Sequence, residues 1–284
     1  MTRRDVGLGL AAASLLLPAT LAAQGHGPVY GLSTPTLGRG AWSVDATGMG
    51  RIAGDAAMIM ARPMVSYGLM EDLQLSVSAP IRLYRDAGLR PARAMSRMPA
   101  TTDLELTLGW RFHRQGTAVG ARFESTAYVS FDYPTEATRS GVRTAPGLMG
   151  ALVTGYASRA VYLWGGGLYR RYLAADGGAE DRAGDLVMYS LVVGYRPPFF
   201  REDFPNPDWR VFVEVVGEWS AEDRVSGAAV PGTGGHQIFV APTVLGLYGR
   251  WGIAGGPAFP VFSRVNGAAS GDTVRLVVNF IRWF

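Results

Sequence analysis

Between residues 101 and 114 apolar and polar side chains alternate almost without a break. Leu104, Leu106, Leu108, Trp110 and Phe112 fall on one face, with Asp103, Glu105, Thr107, Arg111 and His113 on the other. A period of two is the signature of an extended strand with two unlike faces. The segment 117–130 repeats it, setting Val119, Ala121, Phe123 and Val129 against Arg122, Glu124, Thr126 and Tyr128. Arg114, Gln115 and Gly116 between them predict a hairpin turn at 114–116, with Glu105 and Glu124 facing each other across it. Similar runs at 41–49, 57–69, 73–84, 186–196, 209–219 and 273–284 predict further strands. The segments 147–157, 160–173, 236–248 and 251–262 are strand-like but apolar on both faces or rich in glycine, which brings the total to about twelve.

The connections sort by length. Short turns are expected at 70–72, 114–116, 157–159 and 249–250, and longer Gly/Pro/charge-rich loops at 85–100, 131–146, 174–184, 221–235 and 264–272. Short and long alternate along the chain, as in transmembrane barrels with tight periplasmic turns and longer outer loops. A proline-rich link at 197–208 and a short outer connection at 51–55 depart from the rule. A soluble sandwich also alternates, but it gives no reason for aromatics to collect at strand ends, as Tyr67, Tyr84, Trp110, Phe131, Trp209, Trp219, Trp251 and Trp283 do. The expected fold is therefore all-β: an up-and-down antiparallel barrel in the outer membrane, over residues 41–284.

Composition excludes several alternatives. Charged residues make up 18% of the 284-residue chain, against about 25% in ordinary soluble domains, while 48% hydrophobic content argues against disorder. After the first two dozen residues no uncharged stretch approaches the ~18–20 apolar residues of a spanning helix. There is no cysteine, so no disulfide framework is available. All the basic residues are arginine, and a net charge of +4 spread over this length makes no nucleic-acid stripe. Residues 1–23 read as a secretory signal peptide: Arg3 and Arg4, an apolar run from Val6 to Leu21, then Ala22 and Ala23. Residues 24–40 are left as a periplasmic segment or a plug.

If the apolar faces meet lipid, the other faces line a lumen. Parity assigns to it Arg62, Arg82, Asp103, Glu105, Arg111, His113, Arg122, Glu124, Arg210, Glu214, Glu218, Arg275 and Asn279, with Met58, Met60 and Met64 as its apolar part. Two readings stay open: a lumen closed by Arg–carboxylate pairs, or a polar pathway for a solute. Thioethers suit Cu(I), but methionine more often lines an adaptable apolar surface, so no metal and no cofactor is expected. His26, His113 and His236 are followed by Gly-Pro, Arg-Gln and Gln-Ile. None has the nearby serine of an outer-membrane esterase, and no catalytic residue is expected.

The chain ends RLVVNFIRWF, with Phe284 terminal and Phe280, Val278 and Leu276 on its face. It resembles the last strand that the barrel assembly machinery recognises, apart from Arg282 at a position usually apolar. Together with RPMVSYGLMEDLQLSVSAPI at 62–81 and VAPTVLGLYGRWGIAGGPAFPVF at 240–262, it resembles the phenol-degradation meta-pathway, transporter-like, family of outer-membrane barrels. That resemblance implies a channel or transporter passing small hydrophobic or aromatic solutes, with no catalytic residue.

Overall fold

The computed structural model describes residues 27–86, 103–136, 138–139, 142–173, 181–202, 206–265 and 271–284. The expected signal peptide lies outside them, as does most of the 85–100 loop. The strands are β1 (Trp42–Ala53), β2 (Ala56–Met70), β3 (Leu73–Ser78), β4 (Ile81–Arg85), β5 (Leu104–Ala118) and β6 (Ala121–Tyr133). Two short loop strands follow, β7 (Thr138–Arg139) and β8 (Val142–Arg143), then β9 (Gly147–Ala157), β10 (Val161–Tyr172), β11 (Leu186–Tyr195) and β12 (Asp208–Ser220). A second loop pair, β13 (Arg224–Val225) and β14 (Ala228–Ala229), precedes β15 (Gly235–Tyr248), β16 (Trp251–Val265) and β17 (Val274–Trp283).

Each wall strand pairs antiparallel with its chain neighbours, and β1 pairs with both β2 and β17, so the sheet closes. The β3 and β4 segments both pair with β2 and form one stave, interrupted where Pro80 lacks an amide to donate. Twelve staves result. Apart from the outer edge of β4, which no strand pairs among the described residues, closure gives the backbone ladders partners within the wall, which is what a sheet in hydrocarbon requires.

The distribution of side chains is inverted relative to a soluble barrel. Outward positions such as Leu106, Leu108, Val129, Val213, Leu276 and Phe280 are exposed, while Asp45, Arg62, Arg111, Glu124, Glu214 and Arg275 are buried inside. In water that outer face would be an apolar patch far beyond what a soluble monomer carries; against lipid it is the expected surface. Rings gather at both ends of it. Trp42 packs on Tyr67 with centroids 4.5 Å apart and Trp209 meets Tyr248 at 5.8 Å, on the side of the short turns. The Arg282 guanidinium, the departure in the last strand, lies 4.2 Å over Trp251 and 5.3 Å from Phe284, where a cation is held at an aromatic interface.

One turn differs from the sequence reading. The β5–β6 hairpin turns at Val119–Gly120, not at 114–116, and Gly120 takes φ +74° there. Arg114, Gln115 and Gly116 continue β5, paired with Glu124, Phe123 and Arg122. Gly116 sat in a polar triplet that looks like a turn, but the residue with the left-handed backbone is the later glycine. Glu105 accordingly pairs with Asp132, not with Glu124.

Candidate functional site

Residues 27–41 enter the barrel from the short-turn end and run along its interior. At the entrance the Gly40 amide donates to the Gly68 carbonyl at 2.8 Å and Gly68 donates back to Ala41 at 2.9 Å. A Cβ on Gly68 would stand 1.9 Å from the Gly38 oxygen, so only glycine lets the segment pass the wall there. Further in, the Leu37 amide donates to Gln74 Oε1 at 2.8 Å, and the Tyr128 hydroxyl donates to the Ser33 carbonyl at 2.8 Å. The Thr34 hydroxyl donates to Glu124 Oε2 at 3.1 Å while accepting from Trp164 Nε1 at 3.1 Å. At its far end the amides of Val29, Tyr30 and Gly31 all donate to the Glu214 carboxylate, at 2.8, 2.8 and 2.7 Å. The segment thus has little internal bonding and satisfies its backbone on the wall.

The buried charges form clusters. In the first, Arg275 grips Glu218 with both terminal nitrogens at 3.0 and 2.9 Å, and it shares Asp272 with Arg51. Its guanidinium also lies 4.1 Å over the Phe239 ring. Burial pushes the Asp272 carboxyl up, but Arg275 and Arg51 outweigh that and hold it below the usual carboxylate range. In the second, Arg62 and Arg170 take the two oxygens of Glu105 at 2.7 and 2.8 Å, and Arg170 pairs with Asp132 at 3.2 Å. In the third, Arg111 bridges Glu124 at 2.9 Å and Asp72 at 2.5 Å, with Arg122 on Glu124 at 2.8 Å. Near the proline-rich link, Asp208 holds Arg196 and Arg210 at 2.5 and 3.0 Å. Such pairs offset each other's desolvation only while both partners are present.

Beside the segment lies a cavity of ≈ 180 Å³. Its lining is mixed: Leu32 and Leu37 of the segment and Met64, Met149, Leu168, Val277 and Ile281 of the wall are apolar. Polar groups interleave with them, Ser43, Asp45, Thr47 and Asn279 on β1 and β17 and Ser66 and Ser76 on β2 and β3, with Met64 directly opposite Asp45. The Asn279 amide donates to Asp45 at 3.2 Å, and the Ser66 and Ser76 hydroxyls meet at 2.8 Å. Arg62 and Glu105 also line it.

The sequence-derived lumen residues therefore divide. Arg62, Glu105 and Asn279 line the cavity, Arg111, Arg122 and Glu124 make the third cluster, and Glu218 and Arg275 the first. Asp103 is buried, Arg82 is half-buried and pairs with Glu136, and Arg210 lies under Asp208 with its guanidinium 5.2 Å over Tyr162. Met58 and Met60 are packed in the apolar cluster with Met49, while Met64 borders the cavity. Phe280 and Phe284 face outward, 54% and 60% exposed. His113 does not face the lumen. The β5–β6 register slips between Arg111 and His113, and this extra residue turns His113 to the outer face beside Phe123, with ring centroids 6.0 Å apart. Sequence reasoning missed Tyr30 and Thr34, because a segment without periodicity gives no sign of where it docks, and it passed over Arg51, Asp132, Arg170 and Asp272 of the ion clusters.

No family model matches the sequence, and no curated protein matches it. Among solved structures the chain is similar to an outer membrane channel from Pseudomonas putida F1, with a TM-score of 0.64 at 12% identity over 88% of this chain and 98% of that one. It is also similar to the NanC porin, with a TM-score of 0.50 at 8% identity over 85% of this chain and 99% of that one. At such identities the likeness is one of architecture, and that architecture is the bacterial outer-membrane barrel.

Proposed function

We propose that this barrel is an outer-membrane channel for small solutes that carry both an apolar body and a polar group. The observation that carries the reading is the mixed cavity: a closed, lipid-facing wall encloses a space where Met64, Met149 and Leu168 interleave with Ser43, Thr47 and Asn279. A sugar porin would present hydrated polar groups all round, whereas apolar contact with a few placed donors and acceptors suits a weakly polar or aromatic molecule. Twelve staves also lie between small side-chain-filled barrels and the wide 16–18-stranded porins. The proposal includes membership of the phenol-degradation meta-pathway family, and the outward, apolar Phe280 and Phe284 support a role as the signal for the barrel assembly machinery.

The test is uptake into liposomes holding the purified barrel, comparing benzyl alcohol with a disaccharide, alongside conductance in planar bilayers. Faster entry of benzyl alcohol than into empty vesicles, with the disaccharide excluded, is the expected result. The ion clusters favour a second reading, a structural barrel with a filled lumen displaying its outer loops. Absence of both conductance and protein-dependent uptake decides for it.

A further inference from the structure

At its far tip the inner segment rests its backbone amides on one side chain. Glu214 is fully buried and accepts from three consecutive backbone amides, those of Val29, Tyr30 and Gly31, with the Thr243 hydroxyl as a fourth donor at 2.5 Å. Among the described residues no guanidinium pairs with it, unlike Glu105, Glu124 and Glu218. Its negative charge is thus balanced by the amide dipoles of a strand-free stretch of chain, and not by a cation. The Tyr30 hydroxyl reaches past it to the Gly256 carbonyl at 2.7 Å. There the β15–β16 ladder skips from Val240–Phe259 to Val244–Gly255, across Pro242 and Pro257. The wall ladders run on without the segment, since none of residues 27–41 belongs to a strand.

We propose that Val29–Gly31 and Glu214 form a releasable latch, which holds the tip of the inner segment against β12 and β15 and closes that half of the lumen. The proposal rests on the channel reading for its consequence but not for the latch itself. The wall strands pair with one another without this contact, so it can part while the barrel stays closed. Releasing the tip joins the cavity to the space now filled by Val29 and Tyr30, between β11 and β16. Glu214 then faces the pathway with Thr243 as its remaining partner.

The absence of cysteine gives a direct probe, because a single introduced thiol reports alone. Val29→Cys places it beside the latch, at a side chain that is 3% exposed. A polyethylene-glycol maleimide, too large for the cavity, should label it slowly in the otherwise native barrel. Adding Glu214→Gln, which keeps the size and removes the charge, should raise the labelling rate about tenfold, as expected when charge-assisted bonds weaken to neutral ones. Equal rates in two barrels that show the same heat-modifiable migration overturn the latch.

A second design covers the case in which Glu214→Gln does not assemble. A Cβ on Gly31 would lie 3.4 Å from the Ser190 Cβ, near disulfide range, and 2.5 Å from a Val192 methyl. Gly31→Cys with Ser190→Cys and Val192→Ala is therefore a redox lock. The reduced protein should show at least a twofold higher conductance than the oxidised one, and a measurable conductance that is identical in the two states overturns the proposal. Fast labelling in a barrel that carries no current would sink the channel reading and leave the latch standing, so the two failures are told apart.

Discussion

Across β9 to β15 the inner face is packed like the interior of a soluble protein. Val153, Trp164, Met188, Val192, Val216 and Phe239 are buried together with Val29 and Tyr30 of the inner segment, and Tyr162 stacks on Trp164 at 5.3 Å. Across β17, β1, β2 and β3 the same inward positions carry Ser43, Asp45, Thr47, Ser66, Ser76 and Asn279, and they border open space. Both halves hang on one closed ladder, so wall geometry is not what separates them. The difference lies in where the inner segment docks: it enters at Gly68 and crosses to Glu214, filling one side and leaving the other. One half supplies order and the other supplies room, which is a division a passage with a fixed bore does not need.

The sharpest way to break that contrast is at the charged edge of the packed half. Arg275→Ala removes the partner of Glu218 and one of the two partners of Asp272. Two buried carboxylates would then lose their compensation, and the folded barrel should lose about 3–5 kcal/mol, read as a lower urea midpoint for the heat-modifiable form. A midpoint within error of the native one would mean that water already reaches this cluster. Next in size is Trp164→Ala, which opens a void beside Tyr162 and Phe212 and removes the indole donor to Thr34. About 3 kcal/mol is expected from a large-to-small change in a dense core. A loss below 1 kcal/mol on that scale would show that the packed half is loose and that the contrast between halves is overstated.

How much of this was legible beforehand differs between wall and contents. The wall was readable because every outward residue answers to lipid and every inward one to its own period, so Leu104 to Phe112 declare their side unaided. The reading failed where the period itself slipped. At Phe112 one extra residue in β5 reverses the faces, and His113 was put inside for want of any local sign of it. The turn failed for a related reason: Arg114, Gln115 and Gly116 have turn chemistry, and nothing in them says that the strand pair extends beyond the apolar band. The ion clusters were legible only in part, with Arg51, Asp132, Arg170 and Asp272 passed over, and not as partners. Which carboxylate Arg170 or Arg275 takes depends on strand register across the whole barrel. The inner segment was the least legible, since its backbone bonds are made to Glu214, Ser190 and Gln74, residues 37 to 185 positions away.

In the open half the expected effects are small, and this is what makes them informative. Ser66→Ala breaks the Ser66–Ser76 contact at 2.8 Å, and a neutral hydrogen bond at a site bordering a cavity contributes about 1 kcal/mol. Chemical unfolding should shift by that much, with the Ser76 hydroxyl taking up water. A loss several times larger would place Ser66 in a core like that of the other half.

The smallest effect is predicted for Met64→Leu, and it separates two roles for the methionines. Met64 borders the cavity, half-buried, and the swap nearly conserves volume, so stability should change by no more than about 0.5 kcal/mol. If Met64 acts as apolar wall, uptake of benzyl alcohol is unchanged, because leucine offers the same kind of surface. If its sulfur were a soft-metal donor, the same variant would lose Cu(I) binding. Strand geometry argues against a chelate along β2, since residues 60 and 64 lie about 13 Å apart at ~3.3 Å per residue. Across the sheet the position is different: Met49 and Met60 are direct partners on β1 and β2 and both are buried. Cross-strand partners sit about 5 Å apart at Cα, close enough for two thioethers to meet. A Cu(I) titration of the native barrel therefore needs two controls, Met64→Leu and Met60→Leu. The expected outcome is no stoichiometric binding in any of the three. Binding lost only with Met60→Leu would move the metal to the β1–β2 pair, while binding lost with Met64→Leu would make the cavity itself the site of the metal.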